Sequence, residues 1–345
     1  MSQPLESVSR PGLLASAETS PFELRQGILE LPGTLSLQHG GRLDGVHVAW
    51  SLAGARGAPI VVALGGISAH RVVFSSGTDS GWWDALVGPD RALDSRRYRI
   101  LGFDYLGGSG ATTGPRDQPF PSVSSRDQAG ILLRLLDHLG VSTLHAIVGA
   151  SYGGMVALAF AESFPERVTR LLIIGAADRT HPMATAWRSV QRRVLRYALK
   201  HGEGPEGVAL ARALAMATYR SAEEFGVRFR APPREEGGSY VFPVEEYLFA
   251  RGADYAARYR PEAFLCLSES IDLHSVVAEQ IRVPTTIVAV REDQLVPLGD
   301  LRALGARLGR YGRLIEIASP FGHDAFLKEA ARLGPIFRST LESLP

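Results

Sequence analysis

The sequence predicts an α/β fold in which a mostly parallel sheet is flanked by helices and interrupted by a helical insertion. Short apolar segments, such as residues 59–64, lack polar alternation, which is typical of strands buried on both faces of a parallel sheet. These segments alternate with longer stretches whose apolar residues recur at helical spacing. Residues 180–275 break the alternation, because their patterns are helical, no buried strand stands out, and about 95 residues is too long for a plain loop.

These patterns divide the chain into an arm, a core and a lid. Residues 1–20 are rich in serine, proline and alanine without a clear period, and we expect a loose N-terminal arm. Residues 21–179 and 276–345 form the core, and residues 180–275 form a helical lid. The predicted strands are 46–50, 59–64, 98–103, 144–149, 168–174, 285–290 and 314–317, and the clearest core helices are 125–139, which stops at Gly140, and 152–164.

Composition and charge exclude several classes of function. Lys and Arg number 37 against 36 Asp and Glu, so the chain has no positive excess with which to hold nucleic acid. Cys266 is the only cysteine, which rules out an internal disulfide and a cysteine-based zinc site, and we expect no metal. The sequence has neither a secretory signal pattern nor an uninterrupted apolar stretch of about 18 residues. We therefore expect a cytoplasmic protein without a membrane span.

A serine motif lies between a predicted strand and a predicted helix. Residues 149–153, Gly-Ala-Ser-Tyr-Gly, fit G-x-S-x-G in the strand–turn–helix setting that a nucleophile elbow needs. Such a turn is tight, so small residues must flank the serine, and it lifts the hydroxyl to a helix N-terminus that favours negative charge. The motif predicts Ser151 as a nucleophile; the alternative is a glycine-rich turn with an incidental serine.

A serine nucleophile needs a base and an acid that orients the base, and in this setting they follow the serine in the order acid, then histidine. Asp293 and Glu292 both follow the predicted strand 285–290, and we favour Asp293 because Leu-Val-Pro follows closely, leaving Glu292 as a loop acid. His323 comes after the last predicted strand, where the base belongs. The sequence therefore predicts a Ser151–His323–Asp293 triad.

The other histidines and the oxyanion donors complete the predicted site. Two backbone N–H groups should hold the oxyanion, one from Tyr152 and one from the loop at 63–67, for which we favour Leu64. His70 lies near that loop and keeps an alternative role in the site. Four further histidines sit within predicted elements and are interpreted as surface or core residues: His138, His145, His201 and His274.

Five motifs in order resemble one family, the homoserine O-acyltransferases of the α/β-hydrolase superfamily, over nearly the whole chain after residue 35. They are Gly81-Trp82-Trp83-Asp84, the glycine-rich loop 106–115, the elbow Ser151-Tyr152-Gly153-Gly154-Met155, the lid residues Ala211-Arg212 with Thr218-Tyr219-Arg220-Ser221, and Gly322-His323-Asp324-Ala325-Phe326-Leu327.

The resemblance implies the roles of three further residues. Arg212 would bind the carboxylate of an amino-acid substrate, Tyr219 would point into the same tunnel, and Asp324 would hold the ammonium group beside the base. A forked guanidinium suits a carboxylate, and a zwitterion needs one cation and one anion facing it. The alternatives are one arginine among many in an alanine-rich helix, and an acid at a helix N-terminus.

The resemblance also implies a reaction. An acyl group would pass from acyl-CoA, a co-substrate, to Ser151 and then to the hydroxyl of L-homoserine, with no cofactor, in methionine synthesis. Acetyl-CoA is the favoured donor; succinyl-CoA, for which Arg71 could bind the second carboxylate, and L-serine as acceptor are the alternatives. The family implies a homodimer through the lid. The rival functions are a plain esterase and a catalytically silent binding protein.

Overall fold

The computed structural model describes residues 22–116 and 120–343, and within these ranges the central sheet has eight strands. The spatial order is β1-β2-β4-β3-β5-β6-β7-β8, in which β2 runs antiparallel to β1 and β4 and all other neighbours are parallel. The predicted α/β class is confirmed. The strands are β1 Phe22–Glu30, β2 His47–Ala55, β3 Ile60–Leu64, β4 Arg99–Phe103, β5 Ala146–Ala150, β6 Leu171–Ile174, β7 Thr285–Val290 and β8 Gly312–Ile317.

The helices lie between and after these strands. Each predicted core helix is present, and a capping box in which Ser124 and Asp127 bond reciprocally starts the first of them. None of the helices among the described residues is both long and apolar enough to cross a bilayer. The helices are α1 Ser125–His138, α2 Tyr152–Ser163, α3 Pro182–Lys200, α4 Gly204–Tyr219, α5 Ala222–Arg228, α6 Pro243–Ala256, α7 Pro261–Asp272, α8 Leu298–Leu308, α9 Ala325–Lys328 and α10 Ala330–Glu342.

The sheet is buried on both faces, as its uninterrupted apolar strands predict. Along β3, Ile60, Val62 and Leu64 join the core that also contains residues of α1, α2 and α8. The alternate residues Val61 and Ala63 join a second core on the opposite face, where α10 packs. Successive side chains of a strand point to opposite faces, so a strand inside two cores has no polar position.

The segment between β6 and β7, here called the helical insertion (residues 182–272), adds no strand to the sheet. It contains α3 to α7 and an exposed hairpin of Arg234–Glu236 and Ser239–Val241, which the sequence did not predict. Helix α4 packs against both α3 and α6. The insertion has a small core of its own, in which Leu195, Val208 and Phe264 are buried.

The edge of the sheet contains a strand that was missing from the sequence prediction. Strand β1 was not predicted; it pairs along its whole length with β2, and its apolar residues Phe22, Leu24 and Ile28 remain exposed, so no buried face marks it in the sequence. The predicted N-terminal arm, residues 1–20, lies outside the described residues and stays a prediction. Both short strand pairs at Thr34–Ser36 with Arg42–Asp44 and at Val87–Gly88 with Leu93–Asp94 also lie apart from the sheet.

Candidate active site

Ser151 occupies a strained turn between β5 and α2. Its φ of 53° and ψ of −124° are unusual for a residue with a side chain, and such strain is kept where function requires it. The glycines of the motif are needed because the backbone approaches itself closely. A Cβ at Gly149 would lie 2.4 Å from the Gly153 carbonyl oxygen, and a Cβ at Gly153 would lie 2.4 Å from the Leu64 carbonyl oxygen.

Three distant side chains meet at the carboxyl edge of the sheet. His323 Nε2 lies 2.8 Å from Ser151 Oγ, and His323 Nδ1 lies 2.7 Å from Asp293 Oδ2. The second oxygen of Asp293 accepts hydrogen bonds from the backbone N–H groups of Leu295 and Val296 at 2.8 and 3.0 Å. The imidazole is therefore held from one side by a fixed carboxylate while its other nitrogen faces the serine hydroxyl, which is the arrangement for proton transfer.

The surroundings of His323 adjust its basicity. Burial lowers the pKa of His323, but the charge of Asp293, its hydrogen bond and the charge of Asp324 outweigh burial, so the pKa is raised above its ordinary value. The positive charge of Arg188 opposes this effect. A histidine in this setting is a stronger base than free imidazole and stabilises the imidazolium that forms when the serine loses its proton.

Glu292, the competing acid, has another contact. Its Oε2 accepts a hydrogen bond of 2.7 Å from the backbone N–H of Ser319, in the loop that leads to His323. His274 bonds to Ser125 Oγ and to the Ala177 carbonyl, and burial lowers its pKa to about 4, so it is a neutral core residue. Of the other histidines considered in the sequence analysis, His70, His138, His145 and His201 lie outside the catalytic cavity, whereas His181, which was not considered there, lines it.

A cavity of about 230 Å³ opens above Ser151, between the sheet edge and the helical insertion. Ser151 and His323 line its floor, and the insertion contributes Arg212 and Tyr219. Asp324 also faces this space. The structure therefore brings the predicted nucleophile, base and all three predicted substrate residues to one cavity.

Arg212 offers a positive charge to the cavity. Its Nη1 donates to Tyr219 Oη at 3.2 Å, and its guanidinium lies 5.1 Å from the ring centre of Tyr219 and 4.7 Å from that of Tyr255. Within residues 22–116 and 120–343 it forms no ion pair with a carboxylate. An unpaired guanidinium held between two aromatic rings is a ready site for an anion such as a carboxylate.

Asp324 has a partner that the sequence did not reveal. Arg220, only 6% exposed, donates from Nε to Asp324 Oδ2 at 3.0 Å and from Nη1 to Glu224 Oε1 at 3.0 Å. This clamp fixes the carboxylate of Asp324 without enclosing it, because Asp324 still lines the cavity. Glu224 also contacts Arg228 Nη1 at 3.3 Å, so the two carboxylates and two guanidiniums of this cluster balance, and Asp324 is the anionic group that it presents to the cavity.

The two predicted oxyanion donors, Tyr152 and Leu64, lie in different surroundings. The N–H of Tyr152, the first residue of α2, has no hydrogen-bond partner in the described part of the chain and is free to bind an anion. Leu64 is the last residue of β3, is 2% exposed and does not line the cavity, and its role as the second donor stays a prediction. The chain reaches the cavity only in the loop beyond Leu64, through Gly66, Ile67, Ser68 and Ala69.

Comparisons with known proteins agree with this geometry. A family model described as the alpha/beta hydrolase fold matches residues 59–330. A homoserine O-succinyltransferase of Xanthomonas campestris pv. campestris is 43% identical over 316 residues, 91% of this chain and 84% of the relative. A homoserine O-acetyltransferase of Thermus thermophilus is 37% identical over 284 residues, 76% of this chain and 72% of the relative.

A solved structure agrees at the level of the fold. The homoserine O-acetyltransferase from Bacillus anthracis superposes with a TM-score of 0.83 and 17% identity, covering 93% of this chain and 98% of that one. The present chain belongs to the homoserine O-acyltransferase family of the α/β-hydrolase fold. The predicted family and fold are thereby confirmed.

One arginine that the sequence analysis offered as a substrate ligand is already paired with an acidic residue of this homoserine O-acyltransferase family member. Arg71, a candidate for a second substrate carboxylate, donates to the buried Asp104 from Nη1 at 2.7 Å and from its backbone N–H at 2.7 Å. Arg71 does not line the catalytic cavity. The pair instead ties the start of the segment 71–74 to the end of β4, so Arg71 is engaged away from the cavity in which a second substrate carboxylate would lie.

The cavity of this acyltransferase is also lined by an arginine, Arg188, that the sequence analysis did not propose as a site residue. Arg188 on α3 contacts Asp272 Oδ1 at 2.6 Å, while Arg192, one turn later, contacts Asp272 Oδ2 at 2.6 Å. Two guanidiniums share one carboxylate, so the group retains one positive charge in the cavity wall. Nothing in the sequence distinguishes Arg188 from the other arginines of α3, because the pairing depends on α7.

The described residues of this family member contain no group of three or more His, Cys, Asp or Glu side chains placed to hold a metal ion. The charged side chains of the cavity instead lie at two ends, with Arg212 and the Arg188 group positive and Asp324 negative. Such an arrangement suits organic substrates that carry charges of both signs.

Proposed function

We propose that this protein is an L-homoserine O-acyltransferase that takes its acyl group from acyl-CoA by way of an acyl-serine intermediate, in methionine synthesis. The observation that carries the proposal is the contact chain from Asp293 through His323 to Ser151 on the floor of a cavity that also holds Arg212 and Asp324. An esterase would need the first three residues but not the last two.

In the first half-reaction, Ser151 attacks the thioester carbonyl while His323 Nε2 takes the hydroxyl proton. A bond forms between Ser151 Oγ and the acyl carbon, and the carbon–sulfur bond breaks as His323 returns the proton to the leaving thiolate of CoA. The oxyanion of the tetrahedral intermediate would be held by the N–H of Tyr152 and by a second backbone N–H from the segment 64–69 that leads into the cavity, for which Leu64 is the predicted donor.

In the second half-reaction, the hydroxyl of L-homoserine replaces CoA. His323 takes the proton of that hydroxyl, the new oxygen–carbon bond forms, and the bond to Ser151 Oγ breaks with return of the proton to the serine. Arg212 would hold the substrate carboxylate and Asp324 its ammonium group, with Tyr219 beside both. These contacts fix the hydroxyl near the acyl carbon, which accounts for much of the rate in such reactions.

The helical insertion acts as the lid over this chemistry. Residues of α3, α4 and α7 close the cavity opposite Ser151, including Gln191, Thr218 and Ser268. Water that reached the acyl-serine would hydrolyse it, so a transferase needs this side of the cavity to be covered more than an esterase does.

Succinyl-CoA is the donor that the charges favour. The group of Arg188, Arg192 and Asp272 places one uncompensated positive charge in the cavity wall, and a succinyl group carries the carboxylate that would neutralise it. An acetyl group has no charge to offer. The 43% identical relative is named a homoserine O-succinyltransferase, which points the same way.

The mass of the intact protein tests the proposal directly. After mixing with succinyl-CoA, we expect Ser151 to gain a succinyl group, which L-homoserine then removes as O-succinyl-homoserine, whereas Ser151→Ala gains nothing. Acylation by acetyl-CoA alone would overturn the choice of donor, and faster release by L-serine would overturn the choice of acceptor. Release by water at the same rate with and without either amino acid would indicate an esterase.

A further inference from the structure

Two buried polar side chains of α3, Arg188 and Gln191, line the catalytic cavity. They are 9% and 4% exposed, so both are almost entirely removed from solvent. A spacing of three residues makes them neighbours on one face of the helix. A polar group that either side chain leaves unpaired can therefore be satisfied only from inside the cavity.

The guanidinium of Arg188 is fixed along one edge only. Its Nε and Nη2 donate to Asp272 Oδ1 at 2.9 and 2.6 Å, whereas its Nη1 has no hydrogen-bond partner within residues 22–116 and 120–343. Asp272 is itself held, because Thr185 Oγ1 donates to its Oδ1 at 2.8 Å and Arg192 Nη1 donates to its Oδ2 at 2.6 Å. The unused edge of Arg188 therefore has a set direction before any ligand binds.

The amide of Gln191 is buried but unpaired. It forms no hydrogen bond with any residue that the structure describes, and its polar atoms are not sealed off from the cavity that the residue lines. Buried side-chain amides are normally hydrogen-bonded, because an unpaired polar group away from water is unfavourable. A ligand in the cavity would supply the missing partner.

This pair of donors is separate from the cation assigned to the amino-acid substrate. Arg212 lies on α4 against two aromatic rings, whereas Arg188 lies on α3 and is held by Asp272 of α7. The cavity thus offers two places for a carboxylate. L-Homoserine has one carboxylate and fills one of them, which leaves the other for the acyl group.

Arg188 and Gln191 together match the hydrogen-bonding pattern of a carboxylate. Its two oxygens offer about four acceptor positions, of which the Nη1 edge of Arg188 can fill some and the amide N–H of Gln191 another. The amide is neutral, so it adds a directed hydrogen bond without adding charge. An acyl group that lacks a second carboxylate would leave both donors unpaired, and a site built to pair with a polar group rejects an analogue without it.

We propose that Gln191 is a specificity-determining residue, which binds the distal carboxylate of the acyl group together with Arg188 and so selects the monothioesters of dicarboxylic acids over those of uncharged acids. This inference rests on the acyl-transfer function proposed above and deepens it, because it names a second ligand of the acyl carboxylate. The first ligand supplies the charge, and the second supplies direction.

Acylation of Ser151 by two CoA thioesters tests the role of Gln191. Succinyl-CoA and butyryl-CoA have four-carbon acyl groups that differ by the carboxylate, and intact mass gives both rates in a single turnover without L-homoserine. We expect Gln191→Leu to lower the ratio of the succinyl rate to the butyryl rate about 10- to 100-fold, the usual value of a hydrogen bond to a charged group. Gln280→Leu, at an exposed position outside the cavity, is the control and should keep the wild-type ratio.

A second variant of nearly the same size sharpens the test. Gln191→Glu places a carboxylate beside Arg188, where it competes with the acyl carboxylate and repels it, so we expect butyryl-CoA to become the faster donor. Both rates come from the same preparation, so a partial loss of folding would lower them together. A wild-type ratio in Gln191→Leu, or equal losses with both donors, would overturn the inference.

Reversible addition of aldehydes to Ser151 keeps this role testable if no acyl-CoA reacts and the proposed function fails. Succinic semialdehyde and butyraldehyde each form a hemiacetal, in which Ser151 Oγ bonds to the aldehyde carbon and the hydroxyl proton passes through His323 to the aldehyde oxygen. We expect the semialdehyde to protect Ser151 from a sulfonyl fluoride at lower concentration than butyraldehyde, and Gln191→Leu to lose most of this advantage. Equal protection by both aldehydes in the wild-type protein would contradict the carboxylate site.

Discussion

At the scale of single residues, the reactivity of the site depends on how His323 is charged. The carboxylate of Asp293, fixed by two backbone N–H groups, raises the pKa of the imidazole despite its burial, and Asp324 adds to the effect while Arg188 opposes it. The base must be neutral to accept the proton of Ser151, so the site is inactive at pH values at which His323 is protonated.

The pH dependence of Ser151 modification follows from these charges. We expect the rate of inactivation by a neutral sulfonyl fluoride to rise with pH through an apparent pKa above 6.5, the ordinary value for histidine. In Asp293→Asn the rate should fall by about 10³–10⁴-fold, and the apparent pKa should drop because burial then dominates. Glu292→Gln is the control and should keep the wild-type pKa; a pKa unchanged in Asp293→Asn would refute this account of His323.

The proposed preference for succinyl-CoA depends on the charge of a single residue, Arg188. In Arg188→Met, we expect kcat/KM for succinyl-CoA to fall about 10- to 100-fold, the usual value of a hydrogen bond to a charged group, while the value for acetyl-CoA changes little. Asp272 keeps its contact with Arg192, so no buried carboxylate is left unpaired. Arg193→Met, at an exposed position of the same helix, is the control, and equal losses with both donors would argue against a charge-based preference.

At the scale of elements, the backbone of the turn between β5 and α2 leaves no room for larger side chains at its glycines. Gly149 and Gly153 allow the backbone to approach itself, and Ser151 keeps a strained conformation that presents its hydroxyl to His323. The N-terminus of α2 then faces the reacting carbonyl. The geometry of the turn and the chemistry of the serine cannot be changed separately.

The substitution Gly153→Ala tests how strongly the stability of the protein depends on a glycine in this turn. The added Cβ would lie 2.4 Å from the Leu64 carbonyl oxygen, which is backbone and cannot move aside, so we expect a loss of about 1–3 kcal/mol in the free energy of unfolding and little acylation. The control is Gly130→Ala in α1, where a Cβ meets nothing within 4 Å and should stabilise by about 0.5–1 kcal/mol. Urea titrations give both values, and equal stabilities of the two variants would contradict the expectation.

The sequence predicted those parts of the site whose position depends on residues that are neighbours along the chain. The buried strands, the turn at Ser151 and the residues that follow β7 and β8 could be placed because parallel strands end at one edge of the sheet. The second oxyanion donor could be narrowed only to the segment after β3, since the sequence does not show how far the chain continues beyond the strand before it reaches the cavity. Neither the place of Arg188 in the cavity wall nor the contact of Arg220 with Asp324 could be identified, because their partners lie on other elements of the tertiary structure.

At the scale of the whole molecule, the helical insertion leaves apolar side chains uncovered. Along α3, Met183, Val190 and Tyr197 are all more than half exposed, and their spacing of seven residues places them on one face of the helix. Phe249 on α6 is 48% exposed as well. We propose that these residues form the interface of a homodimer, in keeping with the predicted association through the lid.

Light scattering after gel filtration tests the dimer. We expect the wild-type protein to elute as a dimer and the double variant Val190→Glu with Tyr197→Glu as a monomer, since two charges would be buried unpaired at the interface. Val277→Glu changes a similarly exposed apolar residue outside the insertion and should leave the dimer intact. A wild-type monomer, or a dimer that the double variant does not affect, would contradict this assignment.

The order in which the catalytic groups occur along the chain has a consequence for biosynthesis. Ser151 is translated well before Asp293 and His323, and the helical insertion separates it from both. A nascent chain on the ribosome therefore carries a serine without its base, and it cannot consume the acyl-CoA of the cell until the last strands have joined the sheet. Completion of the polypeptide itself thus switches the chemistry on.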